Sequence, residues 1–333
     1  MPEIGSLLAS LDQPRYRADQ MFNWVYKRHV RSFDDMTNFS KTLRSQLSET
    51  VHIGHVSMET IRSSNDQSTH KLLFRLSDGQ FIESVYMIEG KRQTVCLSSQ
   101  VGCALNCDFC ATGQMDFIRN LTAGEIVDQL LFIHNHFQTE ATNIVFMGMG
   151  EPFSNYEQVL KAAHLISHEN GIAIGKRKVT ISTSGIIPTI RRFADDGEKF
   201  KLAISLNATT NAVRDQLMPI NKRYPIGELL NVARYYATKT RHRVTFEYVL
   251  MAGVNDSVED AIRLRKLLAG LPCKVNLIPY NGTGTYQRPT EARIDAFIKP
   301  FLNENIVISV RRSKGDDIDA ACGQLYYQTQ KRK

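Results

Sequence analysis

Apolar and polar residues alternate with two different periods along the chain, and the change of period divides it into three parts. Across residues 1–50 the apolar positions recur at helical spacing. Tyr16, Met21, Phe22, Trp24, Val25 and Tyr26 mark an amphipathic segment over 14–30, and 38–47 is a second. These predict a small helical accessory domain. Residues 51–93 turn to short alternating segments, among them Lys71-Leu-Leu-Phe-Arg-Leu76 and Phe81-Ile-Glu-Ser-Val-Tyr-Met87 on either side of Ser77-Asp-Gly79. An Asp-Gly step between two apolar runs is a hairpin signal, so this part reads as a β-hairpin extension. From residue 94 to 333, strand-like runs at 94–98, 143–148, 179–183, 202–206, 244–250, 274–279 and 306–310 alternate with amphipathic helices. Thr122-x-x-Glu125 forms a capping box ahead of a helix over 126–137, and Ser257-x-x-Asp260 is similar ahead of 262–268. Strands alternating with helices imply parallel βαβ units, and six of them suit an α/β fold class with a partial β/α barrel.

Bulk properties narrow this picture slightly. A chain of 333 residues with 42% hydrophobic content suits one barrel with an appendage. No apolar run approaches the roughly twenty residues that cross a bilayer. The N-terminus does not resemble a signal peptide, so six cysteines point to a reducing, cytoplasmic setting. The net charge of +7 suits an anionic partner. Residues 201–250 carry eight Lys or Arg against three acids, whereas 101–150 carry one against five. Lys176-Arg177-Lys178, Lys222-Arg223, Arg241 with Arg243, Arg311-Arg312 and Lys331-Arg332-Lys333 are candidate phosphate contacts; each alone reads more readily as a solvated surface pair, and it is their shared sign that suits RNA. Residues 1–50 are nearly balanced, seven basic against six acidic, so charge does not separate an RNA-binding module from a helical cap on the barrel.

The chemistry concentrates between Cys96 and Gly113. Cys103, Cys107 and Cys110 stand at C-x3-C-x2-C spacing just after the first barrel strand. Four thiolates normally close an iron–sulfur cubane, so three leave one iron open to an external ligand. Zinc is the alternative, and it needs a fourth ligand. No His lies within twenty residues of the loop, but Cys96 is close enough in sequence to complete such a site. A disulfide with spare thiols is the third reading. Gly148-Met-Gly150-Glu151 follows the second barrel strand, where a Gly-x-Gly loop either admits a ligand or is only a turn. His164 and His168, four apart, read as ordinary helix-face residues, and Cys273 as a core thiol.

Five blocks carry a wider likeness. They are Cys96-Leu-Ser-Ser-Gln-Val-Gly-Cys103, Phe146-Met-Gly-Met-Gly-Glu-Pro152, Ser182-Thr-Ser-Gly-Ile-Ile-Pro188, Met218-Pro-Ile-Asn-Lys222 and Gly315-Asp-Asp-Ile-Asp-Ala-Ala-Cys-Gly-Gln324. The cysteine loop resembles that of the radical S-adenosylmethionine (SAM) superfamily, and the five blocks together resemble the RlmN/Cfr family of RNA adenosine methyltransferases. The resemblance implies a radical SAM barrel, a [4Fe-4S] cluster on Cys103, Cys107 and Cys110, and S-adenosylmethionine held by Gly150, Glu151, Ser182, Ser205, Leu206, Asn207 and Asn281. Asn207 departs from the His common in the family. The resemblance further implies that Cys322 carries the transferred methyl group, that Glu83 is the base and that Cys96 releases the product by forming a disulfide with Cys322. Read alone, Glu83 is a strand residue expected to face solvent, and Cys322 a surface or structural thiol.

Carbon C2 of adenine lies between two ring nitrogens and is electron-poor, so it does not attack the methyl sulfonium directly. A radical route answers that difficulty. The implied substrate is an adenosine of 23S rRNA, with tRNA as a second, and the implied electron donor is a flavodoxin or ferredoxin acting on a monomer. Val101 and Ala104-Leu105 look like the branch that methylates C2. Two alternatives stand beside it: methylation at C8, and a zinc-stabilised RNA-binding protein without catalysis.

Overall fold

Three short helices open the chain in the computed structural model, which describes residues 2–281, 286–302, 304–311 and 318. They are α1 (Pro2–Ser10), α2 (Tyr16–Tyr26) and α3 (Lys41–Thr50). Their apolar stripes meet in a core of their own, built from Leu8, Met21, Phe33, Met36, Phe39, Leu43 and Leu47. Ser40 starts α3 by accepting the Leu43 N–H at 3.2 Å, which satisfies one of the orphan donors of a helix N-terminus. Helix α1 adds a third element to the two amphipathic segments named from the sequence, with Ile4, Leu7, Leu8 and the following Leu11 at i, i+3, i+4, i+7 turned into this core.

Strands β1 (Val56–Ser63), β2 (Thr69–Leu76) and β3 (Phe81–Glu89) form an antiparallel meander. The tight β2–β3 turn has Gly79 at φ +81°, and Asp78 Oδ1 accepts the Gln80 N–H at 3.1 Å. The expected hairpin therefore gains an outer strand, β1. Nor does it stand apart from the barrel: β3 pairs antiparallel with β4 (Arg92–Cys96), placing Val85 opposite Cys96.

After β4 comes a small antiparallel pair, β5 (Gln100–Val101) and β6 (Arg119–Asn120). The chain then alternates: α4 (Ala123–Phe137), β7 (Asn143–Phe146), α5 (Tyr156–Ile166), β8 (Val179–Thr183), α6 (Ile187–Asp195), β9 (Lys201–Ser205), α7 (Asn211–Leu217), α8 (Ile226–Thr240), β10 (Val244–Leu250), α9 (Val258–Leu268), β11 (Cys273–Pro279), α10 (Glu291–Ile298) and β12 (Val307–Val310). Both expected helix starts are present. Thr122 and Glu125 form a reciprocal capping box on α4, and Ser257 Oγ accepts the Asp260 N–H on α9.

The ten-stranded sheet runs β1-β2-β3-β4-β7-β8-β9-β10-β11-β12, parallel from β4 onward. Its two faces differ because side chains alternate along each strand. The outer face, with Val95, Ile144, Ile181, Ile204, Phe246 and Val275, packs under the helices in the main core. The inner face carries Lys71, Glu83, Cys96, Ser182, Ser205, Glu247, Asn276 and Ser309 in matching register. Polar residues inside a barrel mark a lumen prepared for chemistry rather than one filled by packing. The sheet does not close among the described residues, since β12 pairs only with β11. Its edges nevertheless approach each other: Arg311, just beyond β12, donates to Met87 Sδ of β3 at 3.1 Å. Arg311 is thus turned toward β3, not outward as a phosphate contact.

Candidate active site

Cys103, Cys107 and Cys110 lie on the connection between β5 and β6, at the C-terminal end of β4. The loop curls back on itself so closely that a Cβ on Gly113 would stand 2.6 Å from the Cys107 carbonyl oxygen, so only glycine fits there. Asp108 anchors it from both sides. Its N–H donates to Leu217 O at 3.0 Å, and its carboxylate accepts from the Tyr286 hydroxyl. Cys107 packs with Leu217, Met218, Met251 and Tyr280. Burial pushes the Cys103 thiol up to about 11 and raises Cys107 and Cys110 as well, and Cys107 is further opposed by both of the others. Three thiols this reluctant to ionise alone, yet this close together, suit a cationic partner that displaces their protons.

The chemistry of the donor set distinguishes which partner. Among the described residues no group of three His, Cys, Asp or Glu is gathered as a single ion requires. A cubane takes one thiolate per iron, so three cysteines on one loop can hold three irons and leave the fourth open. Cys96 does not complete a zinc site with them. It packs with Val85 and Val145 inside the sheet, in a cluster separate from that of Cys107.

The loops after β7, β8 and β9 form the neighbouring wall. Gly150 has φ +94°, and a Cβ there would meet the Gln100 nitrogen at 2.8 Å. Contact with β5 therefore already requires this glycine. Glu151 is 3% exposed. Its Oε1 accepts the Phe153 N–H at 3.0 Å, and its Oε2 accepts from Ser184 N and Oγ at 2.8 and 2.9 Å. Burial raises its pKa against those bonds. Ser182 and Ser205 are half-buried on the inner face, whereas Leu206 is sealed in the main core and can offer a ligand only its backbone. Asn207 explains its own departure from His. Its backbone is left-handed at φ +57°, a conformation Asn tolerates well, and its side chain accepts the Val249 N–H and donates to Met218 Sδ. Asn281 is half-buried just beyond β11.

One residue that the sequence did not single out ties these loops together. Arg214 of α7 is fully buried. It donates to the carbonyls of Leu206 at 3.0 Å, Ser205 at 3.1 Å and Ser184 at 2.7 Å, and to Asn221 Oδ1 at 3.1 Å. Burial lowers its pKa to about 10. Replacing Arg214 by Met strands buried carbonyls without donors, so a loss of about 2–4 kcal/mol is expected, read as a lower denaturant midpoint.

Glu83 and Cys96 face the lumen together. Glu83 is 3% exposed, contrary to the expectation that a lone strand Glu faces solvent, because the hairpin is continuous with the barrel and its inner face is covered. Among the described residues it pairs with Lys71, itself 0% exposed, with Nζ 3.4 Å from Glu83 Oε2. Ser98 Oγ donates to the Glu83 carbonyl, which sets Glu83 level with the strand's mouth. Cys96, the last residue of β4, has its thiol pushed up to about 11 by burial, with Arg311 opposing that shift and Glu83 adding to it. Glu247, also inside, is raised by burial and bonded to Asn276 at 2.8 Å.

The remaining sequence candidates separate from this site. His164 pairs with Glu198 at 2.9 Å, while His168 lies past the end of α5 against Phe22, so the two share no ligand. Cys273 is a core thiol. Cys322, Arg312 and Lys331-Arg332-Lys333 lie outside the described residues.

Known proteins resemble the chain over nearly its whole length. The profile of the Radical SAM superfamily matches residues 97–265, and that of the Ribosomal RNA large subunit methyltransferase N-terminal domain matches 1–53. The chain is 44% identical to the "Dual-specificity RNA methyltransferase RlmN" of Pelobacter propionicus, covering 98% of this chain and 93% of that one. It is 45% identical to the protein of that name in Geotalea uraniireducens, covering 98% and 94%. A crystal structure of a radical SAM methyltransferase from Sphaerobacter thermophilus superposes with a TM-score of 0.93 at 45% identity, covering 97% of this chain and 96% of that one.

Proposed function

Because the chain belongs to the RlmN family of radical SAM RNA methyltransferases, we propose that it methylates C2 of an adenosine in 23S rRNA, with tRNA as the second of its two specificities. The observation that carries this reading is the shared inner face of Glu83 and Cys96. A buried carboxylate and a buried thiol stand at the mouth of β4, beside the cysteine loop that the same strand leads into. A zinc-stabilised binding protein has no need of either.

Cys103, Cys107 and Cys110 would hold the [4Fe-4S] cluster, and Gly150, Glu151, Ser182, Ser205, Leu206, Asn207 and Asn281 would line S-adenosylmethionine. Bound together, these two supply a 5′-deoxyadenosyl radical. The chain's own residues do the rest. Cys322 takes a methyl group from a first S-adenosylmethionine as a sulfur nucleophile, S-adenosylhomocysteine leaving, and that carbon, once it has given a hydrogen atom to the radical, bonds to C2 of the adenine. Glu83 accepts the proton that the substituted ring carbon must lose, and the unpaired electron left on the ring would return to the bound cluster. Cys96 then attacks the Cys322 sulfur. The S–S bond forms, the C–S bond breaks, and its electron pair stays with the departing carbon, which takes a proton to become the methyl group. The low-dielectric lumen keeps water from the intermediates.

A flavodoxin or ferredoxin is the proposed electron donor, and the proposed working form is a cytoplasmic monomer. No helix among the described residues is long and apolar enough to cross a membrane. Deproteinised 23S rRNA and tRNA, incubated separately with the anaerobic enzyme and digested to nucleosides, should both yield 2-methyladenosine by mass spectrometry. An 8-methyladenosine product would overturn the assignment of C2.

A further inference from the structure

Lys71 is an expensive residue to bury. Moving an ammonium group into a protein interior costs several kcal/mol even after relaxation, and an apolar side chain of similar length would fill the space without that cost. Here it is 0% exposed, inside the barrel, with its Nζ 3.4 Å from Glu83 Oε2.

The sheet register places it relative to the chemistry. Lys71 of β2, Val85 of β3, Cys96 of β4 and Val145 of β7 form one row across the inner face. Glu83, two residues from Val85, stands one row nearer the mouth, level with Ser98. An adenine entering from the mouth therefore meets Glu83 before Lys71. The ammonium sits behind the carboxylate, one row farther from the mouth than Glu83.

We propose that Lys71 is the positioning residue of the Glu83 base: its ammonium, 3.4 Å from Oε2, fixes the direction of the carboxylate on the inner face. The inference rests on Glu83 being the base, so its test must separate the two.

The experiment uses holoenzyme carrying the methyl group on Cys322, mixed anaerobically with 23S rRNA, S-adenosylmethionine and reductant. It follows three quantities: 5′-deoxyadenosine, the covalent enzyme–RNA adduct, and released methyladenosine. Lys71→Met should form 5′-deoxyadenosine and adduct as the unmodified enzyme does, yet release product on the order of tenfold more slowly. Lys71→Arg, which restores a cation, should recover most of that rate. The Lys71→Met/Glu83→Gln double variant should be no slower than Glu83→Gln alone, because the lysine acts through the carboxylate. The double variant lacks a lone buried charge, so this comparison also holds if Lys71→Met by itself is insoluble. Release by Lys71→Met at the unmodified rate, or losses that multiply in the double variant, would overturn the role of Lys71. Normal release by Glu83→Gln would instead remove Glu83 as the base, whatever Lys71→Met does.

Discussion

Changing Cys96 to Ala should leave radical formation intact and convert the enzyme into one that stays covalently bound to its RNA. Cys96 packs with Val85 and Val145 and shares no contact cluster with the cysteine loop. Removing its sulfur takes one buried atom from a small apolar site, so folding and iron content should be near normal. What disappears is the group that breaks the bond between Cys322 and the methylated adenine. A shift of the protein on a denaturing gel, reversed by ribonuclease, measures the trapped species, and multiple turnovers by the variant would rule out the release step as drawn. The raised thiol pKa of about 11 adds a signed expectation for the unmodified enzyme. Thiolate is the attacking form, and below its pKa its fraction rises about tenfold per pH unit. Adduct release should therefore accelerate as pH rises through neutrality.

Changing Cys107 to Ala should abolish activity by a different route. Cys107 is the thiol of the loop packed against Leu217, Met218, Met251 and Tyr280, and Gly113 is folded directly onto its backbone. With only Cys103 and Cys110 left, the cluster loses a third of its protein ligands. The purified protein should be colourless, with iron near background. Neither 5′-deoxyadenosine nor methylated RNA should form. The fold should persist, because the main core under the helices contains none of the three cysteines, and an unchanged far-ultraviolet circular dichroism spectrum checks this. Retention of a brown chromophore and of 5′-deoxyadenosine formation would show that Cys107 is not a ligand.

Much of the barrel was legible because its outer face is apolar and its connections are amphipathic. Strands β8 and β10 coincide with the apolar runs at 179–183 and 244–250, and the others shift by a residue or two at their ends. The capping box at Thr122 gave the start of α4. Less legible was anything set by pairing across the sheet. The alternating pattern of the hairpin says which residues share a face, but not that the face is covered, so Glu83 looked solvent-exposed until β3 was found joined to β4. The signal for Lys71 was present in the turn. A tight connection through Ser77-Asp-Gly79 fixes Lys71 opposite Val85 and so diagonal to Glu83. Arg214 gave no such signal, because its partners are backbone carbonyls from loops that only the fold brings together. Asn207 shows the reverse case: in the sequence it is only a departure from the family's His, and its left-handed backbone and inward bonds give it a structural reason.

The most direct test is metal analysis of protein purified without oxygen, combined with electron paramagnetic resonance of its reduced form before and after adding S-adenosylmethionine. The thiol triad predicts about four irons and four sulfides per chain and a signal that changes when S-adenosylmethionine occupies the open iron. Stoichiometric zinc without sulfide, or an iron signal indifferent to S-adenosylmethionine, would contradict it.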